Sequence, residues 1–228
     1  MMRKTLVLFL FVPVLSISIL SAQTVPQQQI RSAAIRANTS IEHGSAGFYK
    51  FMTCFSCHDQ ALPMLAWRIA RERGVPVDET LARKVAAKGL LTLPDLSSID
   101  QAVQDPMIID PAMSDGYALI AAHAAGVKPD LVLAVYARRL ANWQWADGHW
   151  STMDARPPAS YSNFTATAVA ARAVQLYMPA RLRQETDSRL ARAKAWLLAS
   201  HPQSTEDSTF RLLGLHWTGA MRAQGRAS

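Results

Sequence analysis

Residues 69–78, IARERGVPVD, and residues 121–130, AAHAAGVKPD, repeat one pattern along the chain. In both stretches a helical segment ends at Gly-Val, a proline follows, and an aspartate opens the next helical segment. A looser third copy covers residues 174–187, and the closing aspartates of the three copies are 52 and 57 residues apart. A repeat of this length predicts one helical hairpin per copy, with neighbouring hairpins stacked so that they bury each other's apolar faces.

The rest of the chain also has a helical period, because Ala- and Leu-rich segments recur and alternation of Val, Ile and Thr is scarce. Gly74 and Gly126 stand where helices should end. Asp78, Asp130 and the pair Glu206-Asp207 stand where the start of a helix favours a carboxylate. The predicted fold class is all-α. Helix 130–143 is expected inside because it is apolar nearly all round, and helix 185–199 outside because of its arginines. The predicted helices cover residues 61–73, 78–90, 115–125, 130–143, 160–177, 185–199 and 206–223.

A second motif is Q-x-x-D-G-x-W at residues 144–150. The side chain of Gln144 can bond free backbone groups at a helix end, Asp147 and Gly148 suit a turn, and Trp150 can pack over it. We therefore expect a structural role for all four residues. Asp147 is expected to form the turn rather than to act as a catalytic acid.

This motif resembles the QW repeat of the squalene-hopene cyclase and prenyltransferase superfamily. Residues 54–63, CFSCHDQALP, and residues 205–215, TEDSTFRLLGL, are similar to segments of secreted bacterial proteins of that superfamily. The resemblance implies an α/α toroid, in which QW motifs tie the outer helices together. With three or four hairpins, the chain is expected to form a partial α/α toroid of stacked antiparallel helical hairpins over residues 46–223.

Cyclase activity is not expected. Cyclases of that superfamily protonate an alkene with an Asp-x-Asp-Asp cluster, and the 17 acidic residues of this chain contain none. The Asp/Cys/His zinc set of protein prenyltransferases has no clear counterpart either, because both cysteines belong to another motif. A shared fold does not carry activity with it, so the sequence assigns no catalytic residue.

Both cysteines of the chain lie in the C-x-x-C-H motif at residues 54–58. In covalent c-type haem attachment, two thiols with this spacing add to the two vinyl groups and the following histidine binds the iron. The motif predicts haem c bound by Cys54 and Cys57, with His58 as the metal ligand. Two alternatives stay open, namely a disulfide or redox pair and half of a zinc site.

Methionine is a common second axial ligand of electron-transfer haems. Met107 and Met113 flank the proline-bearing connector 105–111, which is expected to be non-helical and able to carry a sulfur across a ring. Met64 follows His58 too closely to reach the opposite face. The alternative for Met107 and Met113 is ordinary apolar packing under a loop.

Residues 1–22 have the organisation of a cleavable secretory peptide. Arg3 and Lys4 precede an uncharged apolar run, residues 6–20, and small residues end the segment. This run is shorter than the roughly 20 residues that favour a bilayer span, and no later segment is expected to cross a membrane. The mature protein is expected in the periplasm or secreted.

The remaining boundaries are a poorly ordered segment, 23–45, and a tail, 224–228. The formal charge is +7, but basic clusters with interleaved aromatic residues are missing, so nucleic acid is not an expected partner.

Two functions stay open. One is an exported haem protein for electron transfer or redox sensing, with an unidentified redox partner. The other is a non-catalytic binding protein for an apolar, isoprenoid-like molecule, or a degenerate relative of the cyclases, in which the C-x-x-C forms a disulfide or a metal site.

Overall fold

The computed structural model describes residues 25–52, 55–90, 110–153 and 158–220, without the side chains of residues 89 and 90. These ranges contain eight α-helices and no strand, which confirms the all-α prediction. A π-helical turn, Cys57–Ala61, precedes α2, and a short 3₁₀ turn, Ala180–Leu182, precedes α7. The helices are α1 Gln27–Phe51, α2 Leu62–Glu72, α3 Glu79–Leu90, α4 Pro111–Ala124, α5 Leu131–Asn142, α6 Asn163–Tyr177, α7 Arg183–Ala199 and α8 Thr205–Trp217.

Every helix predicted from the sequence is present. Gly74 and Gly126 follow α2 and α4 with φ of 67° and 82°, as a left-handed helix end requires. Helix α4 starts earlier than predicted because Pro111 occupies its first turn and Asp110 caps it, accepting a bond from the Met113 N–H at 3.3 Å. The rest of the connector, residues 105–109, lies outside the described residues, as do the predicted signal peptide and the tail.

Glu206 and Asp207 both lie in the first turn of α8, where the sequence predicted carboxylates at a helix start. Ser204 is the N-cap, and it exchanges hydrogen bonds with Asp207 in a capping box. The carboxylate of Glu206 instead accepts bonds from the Tyr161 N–H at 3.1 Å and the Thr165 hydroxyl at 2.6 Å. Glu206 thus joins α8 to the start of α6.

Residues 27–45 form most of α1, so the expectation of a poorly ordered segment over 23–45 is wrong from Gln27 onward. The helix buries only Asn38 and Ser45, which explains why no apolar period revealed it. Asn38 donates a hydrogen bond to the Pro76 carbonyl at 2.8 Å, and Ser45 donates one to the Asp59 carbonyl at 2.8 Å. Polar contacts therefore dock α1.

Alternate helices form two layers. In the first layer, α2, α4, α6 and α8 contact one another in that order. In the second layer, α3, α5 and α7 each pack against the two first-layer helices next to them in the chain, and α1 lies against α2 and α3. Helix α6 is buried along most of its length, and its alanines allow close approach of its neighbours.

Helices α5 and α7 belong to the same layer, so the expectation that 130–143 is an inner helix is wrong. Helix α7 buries only Thr186, Ala193 and Leu197, in keeping with the expected outer position of 185–199. The apolar start of α5 reaches solvent, and Leu131 is 66% exposed. Its buried face carries Leu133, Tyr136 and Leu140. Within the described ranges, no helix combines the length and the apolar character needed to cross a bilayer.

Candidate functional site

The described half of the C-x-x-C-H motif lies on the π-helical turn between α1 and α2. Ser56 caps this turn, since its hydroxyl accepts a bond from the Asp59 N–H at 3.1 Å. The Ser56 N–H in turn donates to the side-chain oxygen of the buried Gln60 at 2.8 Å. These bonds, with the one from Ser45 of α1, fix the turn against the core. Cys54 lies outside the described residues.

Cys57 and His58 face different surroundings. Cys57 is half-buried and packs against the core near Tyr117 of α4. Burial raises the pKa of the Tyr117 phenol, and the nearby Cys57 adds to this rise. The His58 imidazole is exposed, with Nε2 3.1 Å from the Asp59 carboxylate and Nδ1 3.4 Å from the Cys57 sulfur. A ligand atom arriving from solvent can therefore reach the imidazole.

Exposed apolar side chains lie directly before the C-x-x-C-H motif in the chain. Phe51 is 74% exposed and Met52 is 46% exposed. Lys88 of α3 holds this end of α1, because its ammonium donates to the Tyr49 carbonyl at 3.0 Å and to the Met52 carbonyl. A thiol, an accessible imidazole and exposed apolar side chains are features that a covalently bound porphyrin would use and cover. The described residues supply one thiol and the imidazole that haem c would use, and the second thiol, that of Cys54, lies outside them.

The two candidate methionine ligands differ in what the structure describes. Met113 lies in the first turn of α4 and is buried in the core, which favours its packing alternative. Met64 is also buried, on α2. Met107 lies outside the described residues, so its role as an iron ligand stays a prediction.

A cavity of about 180 Å³ lies between α2, α3 and α4. Its apolar lining includes Met64, Trp67 and Ala86, and the guanidinium-bearing side chains of Arg71 and Arg83 also line it. The indole N–H of Trp67 is buried without a hydrogen-bond partner among the described residues. Arg71 itself is engaged by the Glu79 carboxylate at 2.8 and 2.9 Å.

The turn at residues 144–150, hereafter the QW turn, is organised around Trp150, which is 1% exposed. Its indole N–H donates to the Leu140 carbonyl at 2.7 Å and so closes the C-terminal end of α5. Its backbone N–H donates to the Thr167 hydroxyl of α6 at 3.0 Å, and that hydroxyl donates back to the Trp150 carbonyl at 3.3 Å. Trp150 thereby joins α5 to α6.

Gln144 joins the QW turn to α7. Its amide nitrogen donates to the carbonyls of Gly148 and Arg189, both at 2.9 Å, and its amide oxygen accepts from the Arg192 guanidinium at 2.9 Å. The Arg189 carbonyl lies inside α7, so Gln144 bonds within a helix rather than at the expected helix end. Gly148 has φ of 105°, and a Cβ there would lie 2.4 Å from the Arg192 carbonyl oxygen.

Asp147 forms part of the turn and also orients His149, whose Nδ1 lies 2.6 Å from the Asp147 carboxylate. Burial is the largest single influence on the pKa of the Asp147 carboxylate and raises it. The hydrogen bonds from His149 act in the opposite direction, and the net result is a lowered pKa. His149 is stacked between Trp145 and Trp196, with ring centroids 5.8 and 5.2 Å away. Aromatic stacking therefore adds a further contact between the QW turn and α7.

Sequence reasoning missed the residues that position these two motifs. Asp59 adjoins His58 in the chain and offered a local signal, as a carboxylate beside a predicted metal ligand. Tyr117 and Arg192 gave no local signal, because their contacts depend on the packing of distant helices. Among the described residues, no three His, Cys, Asp or Glu side chains are grouped as a metal ion would need.

Comparisons of the chain with protein-family models, with curated proteins and with solved structures gave no match. The residues of the site are therefore the basis on which a function can be proposed.

Proposed function

We propose that this protein is an exported carrier of covalent haem c that transfers electrons or senses redox state. Cys54 and Cys57 would hold the haem through thioether bonds, and His58 would bind the iron. The observation that carries the proposal is the C-x-x-C-H spacing, with an accessible His58 imidazole at the start of a helical turn. When bound, the iron supplies reversible one-electron chemistry.

The chain's own residues would hold and tune such a group. Asp59 lies 3.1 Å from Nε2 of His58 and can orient the imidazole. Phe51 and Met52 offer apolar surface that would shield one part of the porphyrin from water. Met107 is the preferred candidate for the second axial ligand, because Met113 is packed in the core.

The scaffold proposed for this site is a partial α/α toroid. Two observations support it: alternate helices form two layers, and the QW turn ties α5 to α7, neighbours within the second layer. In the squalene-hopene cyclase and prenyltransferase superfamily, which this motif resembles, QW motifs also tie outer helices together. On this proposal the second layer is the outer one.

A binding protein for an apolar molecule is the second candidate. The cavity between α2, α3 and α4 favours it, because Met64, Trp67 and alanines line that cavity. Its volume of about 180 Å³ is below the roughly 300–1,000 Å³ of usual small-molecule sites, so haem carriage is the function we place first.

Expression in a host with a periplasmic haem-ligation system tests the proposal. The wild type should show a Soret band, a haem stain that survives denaturing electrophoresis, and a mass increased by one haem. Cys54→Ala combined with Cys57→Ala should abolish the stain because both thioether bonds are lost. His58→Ala should keep the stain when ligation succeeds and should shift the spectrum, since the iron loses its imidazole.

His43→Ala is the matched control, because His43 is an exposed histidine of α1 outside the motif. It should leave the stain and the spectrum unchanged. A wild-type mass equal to that of the bare mature polypeptide, from a host that ligates haem to a reference cytochrome, would contradict haem carriage. A mass about two daltons lower than that of the reduced polypeptide would point to the disulfide alternative.

A further inference from the structure

Among the described residues, two buried side-chain donors lack a hydrogen-bond partner, namely Nε2 of Gln60 and Nε1 of Trp67. Both residues are 1% exposed. Gln60 is still held through its amide oxygen, which accepts from the Ser56 N–H at 2.8 Å. The indole of Trp67 has no polar atom other than this N–H, so its removal from water is left uncompensated. Of the two, Trp67 is the one that lines a cavity.

This cavity, of about 180 Å³, is left open by small side chains between α2, α3 and α4. Met64 and Trp67 of α2 line it together with four alanines, which are Ala82, Ala86, Ala124 and Ala125. An alanine fills less space than the larger apolar residues that usually occupy helix contacts, so a gap remains. An apolar cavity of about 150 Å³ can hold one benzene molecule. The present cavity therefore has room for a single ring with a small substituent.

The cavity is apolar at its buried end and polar at its open end. Trp67 and Met64 are buried, whereas the two charged residues of the lining, Arg71 and Arg83, are exposed. Arg71 is held by the Glu79 carboxylate at 2.8 and 2.9 Å, which balances its charge. A buried water needs about two to four polar partners, and the buried side chains of the lining offer the Trp67 N–H alone. An apolar molecule with one acceptor suits this end better than water does.

We propose that this cavity binds a single-ring apolar molecule whose neutral carbonyl oxygen accepts the N–H of Trp67. Burial of the ring beside Met64 and the alanines supplies the affinity. The hydrogen bond supplies the selection, because a ring without an acceptor leaves the N–H unpaired. The acceptor is neutral, since a carboxylate at the buried end would lose its hydration. This proposal rests on the second candidate function, the binding of an apolar molecule, and is independent of haem carriage.

Proton–nitrogen correlation spectra of the indole N–H groups test the proposal, with the Trp67 resonance assigned as the one lost in Trp67→Phe. Acetophenone should bind and shift this resonance. Isopropylbenzene has the same number of non-hydrogen atoms but a methyl group in place of the oxygen, so it should bind about fivefold more weakly. Benzoate should also bind more weakly than acetophenone, because its charge has to leave water.

Two kinds of variant separate the hydrogen bond from the space. Trp67→Phe keeps an aromatic ring in the lining and removes the donor, so it should abolish the preference for acetophenone over isopropylbenzene. Ala86→Leu places a larger side chain in the cavity and should abolish the binding of both. Ala87→Leu is the matched control, because Ala87 is exposed on the same helix and does not line the cavity. It should leave binding unchanged.

The comparison of acetophenone with isopropylbenzene uses the wild type, so it stays decisive if a variant loses its helical circular dichroism. Equal binding of the two, or bound acetophenone that leaves the Trp67 resonance in place, overturns the proposal while the binding of apolar molecules stands. Tighter binding of benzoate overturns the neutral acceptor. If neither acetophenone nor isopropylbenzene binds, the proposal and the second candidate function both fail. The haem stain is a separate measurement that none of these outcomes changes.

Discussion

The N-terminal part of the protein, residues 27–90, and the C-terminal part, residues 111–217, share one hydrophobic core but differ in how their helices are held to it. In the N-terminal part, α1 buries two polar residues and docks through hydrogen bonds. In the C-terminal part, α4 and α6 bury long apolar and alanine-rich faces, and the QW turn closes the end of α5. The proposed haem residues follow α1, which buries few residues, while the QW turn lies in the C-terminal part.

This difference separates what sets the fold from what carries the proposed function. Apolar burial contributes most of the stability of a domain, so the C-terminal part should unfold only with the whole protein. Helix α1 has few apolar contacts and should open at a lower free energy. A site at the end of α1 can then change its surroundings without unfolding the core.

Trp150→Ala should have the largest effect, because Trp150 is fully buried and joins α5 to α6. We expect a loss of about 3–5 kcal/mol in the free energy of unfolding, measured by urea denaturation. Trp145→Ala is the control, since Trp145 belongs to the same turn but is 58% exposed. Its loss should be below about 1.5 kcal/mol, from the stacking on His149. Equal losses in the two variants would contradict the central role of Trp150.

Gly148→Ala should have the next largest effect. An alanine Cβ at φ of 105° would lie 2.4 Å from the Arg192 carbonyl oxygen, so backbone of the QW turn or α7 has to move. A loss of about 2–3 kcal/mol is expected from strain of this kind. Gly126→Ala is the matched control, because Gly126 also has positive φ but open space around its Cβ position. Its loss should stay near 1–2 kcal/mol.

The fold class and the helices with marked ends followed from the sequence because their signals are local. Gly74 and Gly126 end helices where the sequence placed those ends. Helix α1 escaped prediction because its docking groups, Asn38 and Ser45, are polar. The predicted inner position of α5 was wrong, because an apolar segment such as the one at Leu131 does not reveal whether another helix covers that segment.

The candidate site was predictable to a smaller extent. The C-x-x-C-H spacing named the residues of the proposed haem site, but nothing local to it indicated Tyr117 behind Cys57 or Lys88 at the end of α1. Gln144 bonds to Arg189 and Arg192, which lie far from it in the sequence. These contacts can be identified only from the packing of α5 against α7.

Ser45→Ala should act on the N-terminal part alone. It removes the bond from α1 to the Asp59 carbonyl and leaves that carbonyl without this donor, at a cost of about 1–2 kcal/mol. Amide hydrogen exchange should speed up in α1 and in the π-helical turn but not in α6. Ser40→Ala is the control, because the Ser40 hydroxyl bonds only within α1, to the Arg36 carbonyl. Faster exchange in α6 would contradict the independence of the two parts.

The last expected effect is at His123 of α4, where α2 of the N-terminal part meets α4. Burial, Arg68 and Arg172 lower the pKa of His123 from 6.5 to about 4 in the folded protein, with Glu72 opposing them. The unfolded chain therefore binds this proton more readily, and stability is lost as pH falls from 6.5 towards 4. Asp115 works in the opposite direction, because burial raises its pKa from 3.8 to about 6 despite Arg139.

The contribution of His123 is isolated by comparing the wild type with His123→Gln at pH 7 and pH 4.5 in phosphate-free buffer. The glutamine has no proton to gain, so its unfolding free energy should fall less between these pH values, while Asp115 acts equally in both proteins. Arg172→Gln should give an intermediate fall, because it removes one of the charges that lower the pKa of His123. If His123→Gln loses as much stability as the wild type, His123 is not held neutral at this junction.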